Sequence, residues 1–157
     1  MKTGIIGRVP TGITGLDESM SGGFVKDSIN LIAGGPGSGK SIFALQYLIK
    51  GILEYNENGV YLTFEETRDK LMRYMENFGW DLEKLEKEDK LRVIEISPKD
   101  VRKAVYNKNL GLKYGTIKYI KAKRVVIDSI NAYSLLFPTE LAKREAHSIR
   151  ASALRQV

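Results

Sequence analysis

The sequence predicts an α/β protein in which a parallel sheet carries helices on both faces. Three observations predict it: short apolar runs alternate with stretches of helical periodicity, no two runs are joined by a tight hairpin, and a glycine cluster separates the first run from the first helix. Length and composition agree. The 157 residues suit a single domain. With 43% hydrophobic and 28% charged residues the chain can build a packed core, which sets aside disordered and low-complexity classes. It has no Cys, and His147 is its one His, so a disulfide framework and a zinc centre are excluded. The opening MKTGIIGRVP has no signal-peptide core, and no run approaches the roughly 18 apolar residues of a membrane span. A cytoplasmic protein without membrane contact is therefore expected.

Taken in order, residues 28–33 (SINLIA) form an apolar run entering Gly34, the pattern of a buried strand that stops at a loop. From residue 41 to about 55, Ile42, Leu45, Leu48, Ile49 and Ile52 recur every three or four positions, as one face of a helix requires. Residues 60–64 (VYLTF) follow the Asn58-Gly59 turn and read as the next strand. Leu71, Met75 and Phe78 continue the helical spacing until Gly79 ends it. Residues 91–96 (LRVIEI) and 124–127 (RVVI) supply two more strands, with helical halves at 101–109 and 112–121 between them, broken near Gly111. In such sheets crossovers are right-handed and ligands bind beyond the carboxyl ends of the strands.

Chemistry is concentrated at those ends. Gly34, Gly35, Pro36, Gly37, Ser38, Gly39, Lys40 and Ser41 spell G-x-x-x-x-G-K-[ST] between a strand and a helix, the context of a phosphate loop. Glycines let successive amides turn inward around a phosphate, and the start of the helix, through Ile42, adds partial positive charge. Lys40 then reaches the β and γ phosphates, and the Ser41 hydroxyl takes one position on Mg²⁺. The plainer alternative is a glycine-rich structural turn. After the second strand, Glu65 and Glu66 stand on the same rim, where a carboxylate can deprotonate an attacking water; they can equally cap the helix that begins near Thr67. Asp128 closes the last strand, either as an acid holding Mg²⁺ through its water shell or as a turn former.

Thr11-Gly12-Ile13-Thr14-Gly15-Leu16-Asp17, Ser21-Gly22-Gly23-Phe24, the GGPGSGKS loop, TFEET and RVVIDS follow one another in this order. Together, from about residue 8 to 144, they resemble the ATPase domain of the KaiC-like proteins in the RecA superfamily of P-loop NTPases. Bacterial RadA-type recombination proteins share the TGI-x-x-LD opening, but their cysteine-rich module has no counterpart in a chain without Cys. The resemblance implies ATP and Mg²⁺ as cofactors, Lys40 and Ser41 on phosphate and magnesium, Glu65 and Glu66 as catalytic carboxylates, and Asp128 as the magnesium acid. It implies a homo-oligomer, a hexameric ring, and ATP hydrolysis; some members also phosphorylate their own Ser or Thr, for which no acceptor stands out here. The family domain continues into further strands that this sequence lacks, so a partial domain is expected, with residues 148–157 as a tail unlike the family. Because cations supplied across the ring interface lie in the missing part, nucleotide binding should outlast turnover. Two other readings stay open: a nucleotide-switched assembly module without turnover, and a RadA-like accessory that binds DNA.

The second of these rests on charge. Lys99, Arg102, Lys103, Lys108, Lys113, Lys118, Lys121, Lys123 and Arg124 face the single acid Asp100 between them, more than accounting for the chain's net charge of +6. With Tyr106, Tyr114 and Tyr119 interleaved, the stretch can track and stack on a nucleic-acid strand. Alternatively its lysines solvate the outer face of two helices while the tyrosines pack inward.

Overall fold

The computed structural model describes residues 7–96 and 118–129. The expected helix at 101–109, most of that at 112–121, His147 and the tail at 148–157 lie outside them. At the centre, three strands run parallel: β3 (Gly59–Thr63) between β4 (Leu91–Glu95) and β5 (Arg124–Asp128). All five residues of β3 are buried, as the middle strand of a sheet covered on both faces must be. Register sets Tyr61 opposite Val93 and Val126, and Thr63 opposite Glu95 and Asp128. Since side chains alternate, Tyr61, Thr63, Val126 and Asp128 share one face.

That face is covered by α2 (Lys40–Tyr55), α3 (Arg68–Glu76) and α4 (Leu82–Lys87). Leu45, Leu48, Ile49 and Ile52 form the predicted stripe of α2 and pack in one cluster with Leu71, Met75, Leu85, Tyr61 and Leu91. Each such aliphatic side chain contributes about 1.5–3 kcal/mol when fully buried. On the opposite face Val60 and Leu62 pack with Ile96 and Ile120. The outer edge of β4 is closed by α4, where Glu86 accepts the Val93 amide at 2.9 Å and the Arg68 Nε at 3.0 Å.

Residues 28–33 depart from expectation. They form no strand and are exposed throughout, Ile29, Leu31 and Ile32 by 48%, 76% and 40%. A buried strand needs a ladder beside it and a layer over each face; among the described residues nothing pairs with this run. Apolar composition states what a segment can bury, not whether a neighbour is there to bury it.

Preceding that run is a small unit the sequence did not disclose. β1 (Arg8–Val9) pairs antiparallel with β2 (Phe24–Val25), and α1 (Leu16–Ser19) lies between them. Asp17 ties the unit together by accepting from the Thr11 amide and hydroxyl at 2.7 Å each and from the Gly12 amide at 2.9 Å. Burial pushes the Asp17 carboxyl upward, but these Thr11 and Gly12 donors outweigh it and hold the group below its usual range.

Candidate phosphate-binding site

The loop of residues 34–41 sits at the start of α2, with Gly37 and Gly39 at φ 74° and 85°. Both angles lie in the left-handed region that a side chain disfavours, so these glycines permit the turn. Gly39 caps the helix without a side chain, and among the described residues the amides of Lys40, Ser41 and Ile42 at its first turn have no hydrogen-bond partner. Gly34, Gly35, Pro36, Gly37 and Ser38 are exposed, and the Ser38 amide closes a turn onto the Gly35 carbonyl at 3.3 Å. Lys40 bends back over this turn and donates to the Gly34 and Gly35 carbonyls at 2.9 and 2.8 Å. The loop thus brings one cation together with the first-turn amides of α2.

Although 87 residues apart, Ser41 and Asp128 meet where α2 begins and β5 ends: the Ser41 hydroxyl donates to Asp128 Oδ2 at 2.6 Å. Tyr61 donates to the same oxygen at 2.5 Å. Burial first, and then the Asp128 carboxylate, push the Tyr61 phenol far up, so it remains a donor. Ser41 and Asp128 are hard oxygen groups of the kind Mg²⁺ takes. Among the described residues no group of three or more His, Cys, Asp or Glu could hold a metal. The pair fits a cation that draws further ligands from phosphate and water.

Glu65 and Glu66 reach the same rim through a turn that Thr63 organises. The buried Thr63 hydroxyl donates to the Glu66 carbonyl at 2.8 Å and accepts the Glu66 amide at 3.1 Å. Glu65 accepts from the Ser129 hydroxyl at 2.5 Å, and Glu66 pairs with Lys70 at 2.5 Å. Among the described residues neither carboxylate accepts from an amide of α3; the Arg68 amide at its first turn donates to Glu95 at 3.4 Å. Beside them a cleft of about 290 Å³ is lined by Ser41, Ile42, Glu66, Leu71, Tyr74, Met75, Asn77 and Phe78. Tyr74 and Asn77 had no sequence signal, and Phe78 fitted the helical spacing; yet Phe78 is half exposed and stacks on Trp80 at 5.3 Å.

In the basic stretch, Lys118, Lys121 and Lys123 are exposed, as is Tyr119 at 72%. Arg124 is not part of any charged surface. It is buried, donates to Glu57 at 2.7 Å and to the Tyr47 carbonyl at 3.0 Å, and lies over the Tyr47 ring at 4.5 Å. Being first in β5, it points into the layer between sheet and α2 instead of outward. Lys99, Arg102, Lys103, Lys108 and Lys113, with Tyr106 and Tyr114, lie outside the described residues.

Comparison with known proteins bears on this site. The family model described as KaiC ATPase matches residues 9–154. Among curated proteins, the circadian clock oscillator protein KaiC of Prochlorococcus marinus is 41% identical over 131 residues, which span 80% of this chain and 26% of that protein. A UPF0273 protein of Methanocaldococcus jannaschii is 37% identical over 149 residues, 87% of this chain and 61% of its own length. The chain thus spans about a quarter of the clock proteins it matches. The crystal structure of a KaiC-like protein of Pyrococcus horikoshii superposes with a TM-score of 0.81 at 39% identity, over 96% of this chain and 66% of that one. Among the described residues no helix is long and apolar enough to cross a membrane.

Proposed function

The chain belongs to the KaiC ATPase family, and from that premise we propose that it binds ATP with Mg²⁺ on the loop of residues 34–41 and hydrolyses its β–γ phosphoanhydride bond. The observation that carries this reading is the 2.6 Å contact between Ser41 and Asp128, which joins the loop to the acid that ends β5.

The open amides of Lys40, Ser41 and Ile42 bind phosphate oxygens, and Lys40 exchanges the Gly34 and Gly35 carbonyls for them. Ser41 and Asp128 would hold Mg²⁺, which supplies neutralisation of phosphate charge when bound. Glu65 or Glu66 orients the attacking water and takes its proton. The cleft beside Ser41 offers the nucleoside apolar walls at Tyr74 and Phe78 and an amide at Asn77, groups suited to stacking on a base and hydrogen-bonding its edge. Assembly into a homo-oligomeric ring, which the family resemblance implies, belongs to the same proposal.

Single-turnover hydrolysis of ATP tests it. Wild-type protein should release phosphate, and the Glu65→Gln/Glu66→Gln variant should do so about 10²-fold or more slowly while still binding ATP, the usual scale of general-base removal. Equal rates in the two would remove the carboxylates from the mechanism.

A further inference from the structure

Tyr61 has no part in the reading above, yet its hydroxyl ends on the group that reading depends on. The ring is fully buried at the centre of the sheet, among Leu45, Leu48 and Leu71. A phenylalanine would fill the same space, so packing does not explain the hydroxyl. Register explains where it goes. Tyr61 lies opposite Val126, and Asp128 stands two residues further along the same face of β5, within reach of a long aromatic side chain. There the Tyr61 hydroxyl donates to Asp128 Oδ2 at 2.5 Å, and Ser41 donates to that same oxygen at 2.6 Å. Among the described residues Oδ1 receives no hydrogen bond.

We infer that Tyr61 is a positioning residue for the magnesium acid: it fixes the Asp128 carboxylate by engaging Oδ2 and leaves Oδ1 directed to the cation's water shell. The inference rests on the magnesium reading of Ser41 and Asp128. Two donors on one oxygen remove the carboxylate's freedom to rotate, and the tyrosine, anchored in the core, is the rigid one of the two. Serine has to serve the cation and the carboxylate at once.

The test is Tyr61→Phe, which keeps the ring and deletes the donor. Binding of the fluorescent nucleotide mant-ADP is titrated with Mg²⁺ for wild type, Tyr61→Phe, Asp128→Asn and the double variant, with thermal melting as a check on folding. Tyr61→Phe is expected to bind mant-ADP without Mg²⁺ as wild type does, and to need about tenfold more Mg²⁺ for half of the magnesium-dependent gain in affinity, the scale of one hydrogen bond to a charged group. In the Asp128→Asn background the same substitution should change nothing further. An unchanged Mg²⁺ requirement in Tyr61→Phe, or an equal effect in the Asp128→Asn background, overturns the inference while leaving the magnesium reading intact. A wild-type protein whose mant-ADP affinity ignores Mg²⁺ overturns both.

Discussion

Glu65 and Glu66 are neighbours in sequence but held differently: Glu65 by the neutral Ser129 hydroxyl, Glu66 by the Lys70 ammonium. Glu66 must release Lys70 before it can act on a water, whereas Glu65 needs only a rotation of a hydroxyl. In single-turnover hydrolysis, Glu65→Gln should account for most of the loss seen in the double variant, with Glu66→Gln costing less than about tenfold; the reverse order would reassign the base. Asp17 belongs to the small unit of β1, α1 and β2. Its carboxyl is depressed below the usual 3.8, so the stability it contributes is fully present above that value and is lost as pH falls through the depressed one. Protection of the Thr11 and Gly12 amides against hydrogen exchange should hold down to about pH 4 and fall below it. In Asp17→Ala it should be low at every pH. Protection that persists in Asp17→Ala would show that the carboxylate does not organise this turn. The TGITGLD stretch carried family resemblance in the sequence; its physical content is this knot of three hydrogen bonds.

Among the elements, α2 has two ends with different duties. Its first turn faces the loop, and its far half makes room for Arg124. Gly51 lies in mid-helix, where glycine costs about 1 kcal/mol relative to alanine. A methyl group there would overlap the buried guanidinium, whose Cζ lies 2.8 Å from the position it would take. Moving the buried guanidinium away from Glu57 would leave its charge uncompensated, so the clash outweighs the gain in helix propensity. Gly51→Ala should therefore lower unfolding stability by about 1–3 kcal/mol in a denaturant titration; a stabilised variant would show that Arg124 shifts freely. Legibility differs among the elements for physical reasons. The spacing of Ile42, Leu45, Leu48, Ile49 and Ile52 disclosed α2, and the apolar runs disclosed β3, β4 and β5, because each signal is local. The two-residue strands β1 and β2 are too short for any period, and α4 buries only Leu82 and Leu85 in a charged stretch. Arg124 read as a surface cation, since its partners Glu57 and Tyr47 are distant in sequence. At the candidate site the phosphate loop, the Glu65–Glu66 pair and Asp128 stand out in the sequence as motifs, and the structure brings Ser41 and Asp128 into contact. The hydroxyl of Tyr61 and the cleft wall at Asn77 and Phe78 did not stand out: the strand and helix periodicities mark Tyr61 and Phe78 as ordinary packing, and Asn77 carries no signal.

At the scale of the whole molecule, three parts far apart in the chain converge at one end of the parallel sheet. The loop before α2 brings amides and Lys40, the turn after β3 brings Glu65 and Glu66, and the end of β5 brings Asp128. Parallel register explains the convergence, since it sets Thr63 level with Asp128 and places both strand ends on one rim. The fold thus acts by placing the groups, and their chemistry depends on whether a nucleotide takes the loop. Calorimetric titration of ATP with Mg²⁺ into wild type and Lys40→Ala measures that directly. Wild type is expected to show one binding event per chain, and Lys40→Ala an affinity weakened about tenfold or more, as for loss of a charged hydrogen-bonding partner. Equal affinities, or no heat of binding to folded wild-type protein, would contradict binding at the loop.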